Sequence, residues 1–279
     1  MDGFMAVKFL LILLVPLLGG LVYGLERVVR ARMQNRVGPP LLQPFYDMFK
    51  LLDKQPIMIN SYHIVFAIMH FITLWVVVAM IILGDNLLYI IFLHLLSSIF
   101  LVLAGYSVNS VYSHMGSNRE LLTIVAYEPI LILISVGFYM MHGSFSIDTI
   151  YEHHTTLPSM ALLFVALLLI IPIKLKKSPF DATEAHQEIV GGVEIEFSGV
   201  FFEILYMAKW IEYIFVYALV ILFAGDSYLL AMVLCIGVFL LINLVDNATA
   251  RVKVGDLVKI VLSLGLLLSL VNLIGLRYV

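Results

Sequence analysis

"IVFAIMHFITLWVVVAMIIL", residues 64–83, runs for 20 residues without an Asp, Glu, Lys or Arg. An α-helix needs about 20 apolar residues to cross the hydrocarbon of a bilayer. Lipid offers no partner to a backbone amide, so such a stretch reads as a transmembrane helix. Working outward, similar stretches recur at roughly 5–24, 87–106, 121–141, 157–173, 199–223, 228–248 and 256–276. The fifth in chain order is short, and the sixth carries charges. The alternation of a β-barrel strand is absent. With 62% hydrophobic and 13% charged residues, the chain is expected to be an all-α, polytopic integral membrane protein. It forms a single membrane domain over residues 1–279. The longest segment between spans is about 40 residues, too short for a core of its own. Residues 5–24 are read as the first span and not as a leader, because no small-x-small cleavage site follows.

Composition also narrows the chemistry. The one cysteine, Cys235, excludes a disulfide within the chain and any Cys-ligated cluster or nickel site. No phosphate loop, dinucleotide fingerprint or His-Glu-x-x-His motif appears, so no nucleotide, metal or cofactor site is expected in this chain, and no nucleic-acid partner. His63, His70 and His94 lie in spans, where histidines more often bond to neighbours than to haem.

Twelve of the 16 basic residues fall in alternate loops. Arg27, Arg30, Arg32, Arg36, Lys50 and Lys54 lie between spans 1 and 2, and Arg119 between 3 and 4. Lys174, Lys176 and Lys177 lie between 5 and 6, and Arg251 and Lys253 between 7 and 8. Positive charge stays cytoplasmic. The cytoplasmic loops are therefore expected at about 25–63, 107–120, 174–198 and 249–255, with both termini outside the cell membrane.

The first loop reads "ERVVRARMQNRVGPPLLQPFYDMFKLLDKQP", 26–56. Gly38-Pro39-Pro40 breaks a helix. Pro44 then suits a helix start. Leu41, Phe45, Met48 and Leu52 follow at i, i+4, i+7 and i+11, which predicts a short amphipathic helix in the interface. Two readings of Arg27, Arg30, Arg32 and Arg36 stand: topogenic charges beside anionic lipid, or a docking face for an acidic protein surface.

"SPFDATEAHQEIVGGVEIEFSG", 178–199, holds Asp181, Glu184, Glu188, Glu194 and Glu196 and no Lys or Arg. Ser178 and Pro179 are good first residues for a helix that Gly191-Gly192 would stop. Such a helix would place Asp181, Glu184 and Glu188 on one face. A solvated acidic face is one reading. The other is proton relay, since clustered carboxylates near a low-dielectric region raise one another's proton affinity.

Charges also stand inside the spans. Glu128, followed by Pro129, lies in the fourth. Glu203, Lys209 and Glu212 lie in the sixth, where i, i+3 spacing predicts a Lys209–Glu212 pair and leaves Glu203 in need of another partner. Asn243, Asp246 and Asn247 share a face at the end of the seventh. Intramembrane charges are costly and default to function, with a structural ion pair as the alternative.

The loops "ERVVRARMQNRVGPPLLQPFYDMFKLLDK", "SNRELLTIVAYEP", "SPFDATEAHQEIVGGVEIEFSG" and "VDNATARVKV" resemble, in order, the core membrane subunit of respiratory complex I, often called the H-type subunit or subunit 1. They are still more similar to its homologue in energy-converting membrane-bound NiFe hydrogenases and formate hydrogenlyases. Asn35-Arg36 through Pro44, Glu128-Pro129 and Asp246-Asn247 carry that preference, and the related sulfane reductases share them. The resemblance implies a non-catalytic membrane anchor and coupling subunit of an oxidoreductase complex. Its partners would be hydrogenase-like large and small subunits with a NiFe centre, an iron–sulfur subunit, antiporter-like membrane subunits and the bilayer, with ferredoxin as the donor. Arg27, Arg30, Arg32, Arg36 and Arg119 would meet the peripheral arm. Asp181, Glu184, Glu188, Glu194 and Glu196 would lie beneath the electron-accepting site. Glu128, Glu203, Lys209, Glu212 and Asp246 would continue a polar axis for H⁺ or Na⁺. A quinone-reducing or sulfur-reducing complex with the same anchor, and a stand-alone ion transporter, are the rival readings.

Overall fold

The computed structural model describes residues 2–278, with side chains from Met5 onward. Each apolar run and the amphipathic segment fall in a helix, and two short helices, α6 and α8, lie outside them: α1 (Asp2–Met33), α2 (Gln43–Leu52), α3 (Ser61–Leu83), α4 (Leu87–Tyr106), α5 (Val111–His142), α6 (Ile147–Glu152), α7 (Ala161–Lys174), α8 (His186–Ile189), α9 (Gly199–Leu222), α10 (Tyr228–Ala248) and α11 (Val254–Leu276). A 3₁₀ turn, Gly192–Glu196, precedes α9. Local chemistry sets several boundaries. The Asn60 side chain accepts from the Tyr62 amide at the start of α3, and Asn86 accepts from Leu88 and Tyr89 at the start of α4. Gly84 and Gly143 close α3 and α5 in the left-handed conformation.

Among the described residues, seven helices are long and apolar enough to cross a membrane, and the shorter α7 is also apolar. Loop contacts show that α7 crosses too. The segments near the basic residues meet at one end: Arg119, near the start of α5, reaches Glu188 at 2.7 Å, Arg251 reaches Asp181 at 2.7 Å, and the Val252 amide donates to Pro179 O. The connections from α3 to α4, α5 to α7 and α9 to α10 meet at the other: the Leu87 amide donates to Phe145 O, and the Asp226 amide to His153 O. With α7 running between the two ends, the chain makes eight crossings. The 14 residues of α7 span only about 21 Å. Its start has no side-chain cap of its own. Instead Asn272 of α11 accepts from the Leu163 amide at 2.9 Å and donates to Ser159 O at 2.8 Å.

The elements near the basic end depart from the sequence reading in three ways. α1 continues to Met33, so Arg27, Arg30 and Arg32 ride on a helix and not in a loop. α5 begins at Val111, so the loop expected at 107–120 shrinks to 107–110. The helix expected from Ser178 does not form: 175–185 is a run of turns, followed by the four-residue α8. Its carboxylates reach cations on different elements, and those contacts outweigh a local preference for helix. Gly116 lets the 3₁₀ turn touch α5 backbone to backbone, since a Cβ there would stand 2.6 Å from Gly192 Cα.

Candidate functional site

The turns after α7 roof a cavity of about 290 Å³ at the basic end of the bundle. Beside it, an ion-pair clamp lines a second, smaller cavity of about 180 Å³. Arg251 binds Asp181 through two bonds of 2.7 Å and lies 3.5 Å from Glu188. Arg119 holds the other side of Glu188 at 2.7 Å and donates to Ala182 O at 3.0 Å. Hydrogen bonding from Arg119 holds the Glu188 carboxyl below the usual carboxylate range.

In the main cavity, two carboxylates share two ammonium groups. Lys209 of α9 contacts Glu184 and Glu194 at 2.8 Å each. Lys176 stands 3.0 Å from Glu184 and 4.0 Å from Glu194. The two acids are pushed apart. Burial opposes ionisation of Glu184, but Lys176 and Lys209 outweigh it and hold its carboxyl well below the usual range. Burial and the adjacent Glu184 charge drive Glu194 upward, more than Lys209 and Lys176 pull it down. Such a pair assigns the proton to one partner.

A second cluster lies beside it. Glu26 of α1, 3% exposed, accepts from Lys177, from Arg30 and from the Tyr213 hydroxyl. Arg30 also pairs with Asp246 at 2.8 Å, and Asp246 accepts the Ser178 amide at 3.0 Å. Deeper, Lys174 pairs with Glu212 at 2.9 Å, and His94 Nε2 lies 3.1 Å from the same carboxylate. Lys174 donates to the Tyr127 hydroxyl at 3.2 Å, which donates to Ser98 at 3.2 Å. The next residue, Glu128, is 5% exposed, and neither of its oxygens has a partner among the described residues.

A family model described as NADH dehydrogenase matches residues 5–276. The chain belongs to the subunit 1/H family of respiratory complex I. Members of this family are membrane subunits of multi-subunit oxidoreductases of respiratory electron transport. The NADH-ubiquinone oxidoreductase chain 1 of Patiria pectinifera is 33% identical over 254 residues, covering 81% of this chain and 77% of that protein. The H-type subunit of the NADH-quinone oxidoreductase of Rickettsia typhi is 31% identical over 228 residues, covering 73% of this chain and 67% of that one. A solved structure shares the fold at a TM-score of 0.89 and 22% identity, over 98% of this chain and 99% of the other. It is described as the membrane-bound sulfane sulfur reductase, an archaeal respiratory membrane complex.

Within this subunit 1/H chain, the singled-out residues sort as follows. Asp181, Glu184, Glu194, Lys209, Glu212 and Asp246 all line the main cavity, and Glu188 lines the smaller one. The expected Lys209–Glu212 pair is not made. Packing sends Lys209 to Glu184 and Glu194, while Glu212 meets Lys174 and His94. Asp181, Glu184 and Glu188 do not share a helical face: Asp181 answers Arg251, Glu184 answers Lys176 and Lys209, and Glu188 answers Arg119 and Arg251. Glu196 is half-buried and makes no ion pair among the described residues. Glu203 lies outside the cavity. Of the arginines, Arg27 pairs with Asp47 at 2.7 Å and Arg30 turns inward. Only Arg32 and Arg36 are exposed. Sequence reasoning missed Glu26 altogether and gave Lys174, Lys176 and Lys177 only a topological role. The i, i+4 spacing of Glu26 and Arg30 is the one signal that could have marked Glu26.

Proposed function

We propose that this chain anchors the peripheral redox arm of an ion-pumping respiratory complex and couples electron transfer to H⁺ or Na⁺ movement. The observation that carries the reading is the set of acid–base clusters at the basic end: the Arg119–Glu188 pair, the buried group of Glu184, Glu194, Lys176 and Lys209, and the Lys174–Glu212 pair, with the unpartnered carboxyl of Glu128 nearby in α5. A redox change in the arm beside these clusters would alter the proton occupancy of Glu194. Neighbouring charges would respond because they share counter-ions, which is a physical link and not mere proximity. Arg32 and Arg36 would meet the arm.

The type we favour is the ferredoxin-linked, membrane-bound NiFe hydrogenase. Its support is the loop motif at 35–44, Glu128-Pro129 and Asp246-Asn247. NiFe and iron–sulfur groups would sit in partner subunits, and antiporter-like subunits would continue the path. The names of the curated relatives favour a second reading, the same anchor in a quinone-reducing complex. Purifying the intact complex with a tag on this chain decides between them. Nickel, and hydrogen evolution from reduced ferredoxin, are expected. Quinone-dependent NADH oxidation without nickel would overturn the hydrogenase type and leave the anchor role standing. Recovery of the chain free of any redox subunit would sink both.

A further inference from the structure

The smaller cavity, of about 180 Å³, holds more positive charge than its ion pairs use. Three cations line it: Arg119 of α5, Arg251 of the link between α10 and α11, and Lys253 at the head of α11. Glu188 lines it with them. Arg119 and Arg251 share Glu188, at 2.7 and 3.5 Å, and Asp181 holds Arg251 from the main cavity. Lys253 is exposed, and its ammonium meets no carboxylate among the described residues. Three cations thus answer two carboxylates, and one positive charge is left over. Asp256, the acid in the first turn of α11, does not line the cavity. Val254, the first residue of α11, does. That first turn has no side-chain cap, so its free amides also favour an anion.

The cavity lies where two spans enter the bilayer. α11 starts at its wall, and Arg119 stands just before the apolar run of α5. On α11, Ile260, Leu264 and Leu267 follow Lys253 at i+7, i+11 and i+14, so all four share a helical face, and the three apolar side chains are exposed. On α5, Leu121, Leu122 and Val125 are exposed on the turns that follow Arg119. The two helices pack together, since a Cβ on Gly265 of α11 would stand 2.2 Å from Ile130 of α5. A soluble acidic partner would meet the cations and leave these apolar faces bare. A phospholipid meets both. Basic residues at the membrane surface attract its anionic headgroup, and its acyl chains cover apolar side chains below.

We propose that the cavity lined by Arg119, Arg251 and Lys253 binds the phosphate of an anionic phospholipid, whose acyl chains lie along the exposed faces of α5 and α11. Lys253 supplies the charge that the ion pairs leave unused. Glu188, about half exposed, shares Arg119 and Arg251 with the phosphate. The bound headgroup ties α5, α11 and the turn that carries Ala182 into one unit. The inference goes beyond the coupling reading and needs no ion translocation.

The test uses the intact complex in vesicles of equal parts phosphatidylcholine and phosphatidylglycerol. A photoactivatable group in the acyl chain of one lipid or the other labels the chain, and mass spectrometry of the digest maps the adducts. Adducts on 121–125 and 260–267 are expected mainly from phosphatidylglycerol. Lys253→Gln is expected to lower that preference about fivefold, the effect of one cation at the membrane surface on an anionic headgroup. Lys253→Arg is expected to keep it. Equal labelling of these segments by the two lipids overturns the proposal, and that comparison needs no variant. So does a preference that Lys253→Gln leaves unchanged. Two further results overturn it by naming another occupant. Loss of the phosphatidylglycerol adducts on adding inorganic phosphate, but not chloride at equal ionic strength, would assign the cavity to a free anion. Release of the peripheral arm by Lys253→Gln, with no lipid preference in the parent, would assign it to an acidic partner protein.

Discussion

Lys174 of α7 and Glu212 of α9 form a 2.9 Å ion pair whose side chains are 7% and 12% exposed. A pair this buried gives little net stability, because desolvation offsets the attraction. Losing one partner is different, since it strands the other charge. Glu212→Gln should destabilise the assembled chain by about 3–5 kcal/mol. Lys174→Met with Glu212→Leu should cost clearly less than either single change, with a coupling of about 0.5–3 kcal/mol. Thermal unfolding of the detergent-solubilised complex measures this. Additive single and double variants would show that the pair is not energetically linked.

Glu184 and Glu194 should impose opposite pH dependences. Glu184 is held below its unfolded value, so it contributes stability above about pH 4.3 that fades as pH falls through its depressed folded value. Glu194 is raised, so its contribution is complete below about pH 4.3 and is lost as pH rises through its folded value. At neutral to alkaline pH, Glu194→Gln should therefore raise the Tm and Glu184→Gln should lower it. Melting curves over a pH series check both signs. The same sign for the two variants would contradict the division of roles.

Glu128→Gln keeps the shape of a side chain that has no partner among the described residues. Normal assembly is expected, with normal turnover when an artificial donor bypasses the membrane, and loss of ion-gradient formation in sealed vesicles. A gradient equal to the parent's takes Glu128 off the coupling path. Dissociation of the complex would make it structural.

The arginines divide into two classes. Arg32 and Arg36 are exposed, so replacing both with Glu should leave the membrane chain folded and release the peripheral arm during purification. A like-charge contact of this kind costs several kcal/mol when buried. Arg30→Glu should instead damage the membrane chain itself, because it sets a third carboxylate against Glu26 and Asp246. Retention of the arm by the Arg32/Arg36 variant at full activity argues for lipid-facing or topogenic charges.

Topology is open to cysteine labelling in a Cys235→Ala background. Asn109 and Tyr228 are exposed at opposite ends. Asn109→Cys should label from the cytoplasm and Tyr228→Cys from outside. Labelling of both from one side would break the eight-crossing arrangement.

What the sequence determined by itself is the set of apolar spans and the end of the bundle at which the basic residues gather, but not every boundary, since α1 and α5 each extend nearly three turns beyond the expected span at that end. Burying apolar backbone in lipid needs about 20 residues of helix each time, and that requirement is written locally. Part of the lining of the main cavity was also legible, since Asp181, Glu184, Glu194, Lys209, Glu212 and Asp246 stand there and Glu128, Glu188, Glu196 and Glu203 do not. Only the tertiary structure decided the pairings. Lys209 passes over its i+3 neighbour Glu212 for Glu184 and Glu194, Lys174 crosses from α7 to claim Glu212, and Glu26 gathers Lys177, Arg30 and Tyr213 from three elements. A Coulomb contact depends on distances of a few ångströms. The packing of α1, α7 and α9 against the turns at 175–198 sets those distances between residues that lie far apart in the chain.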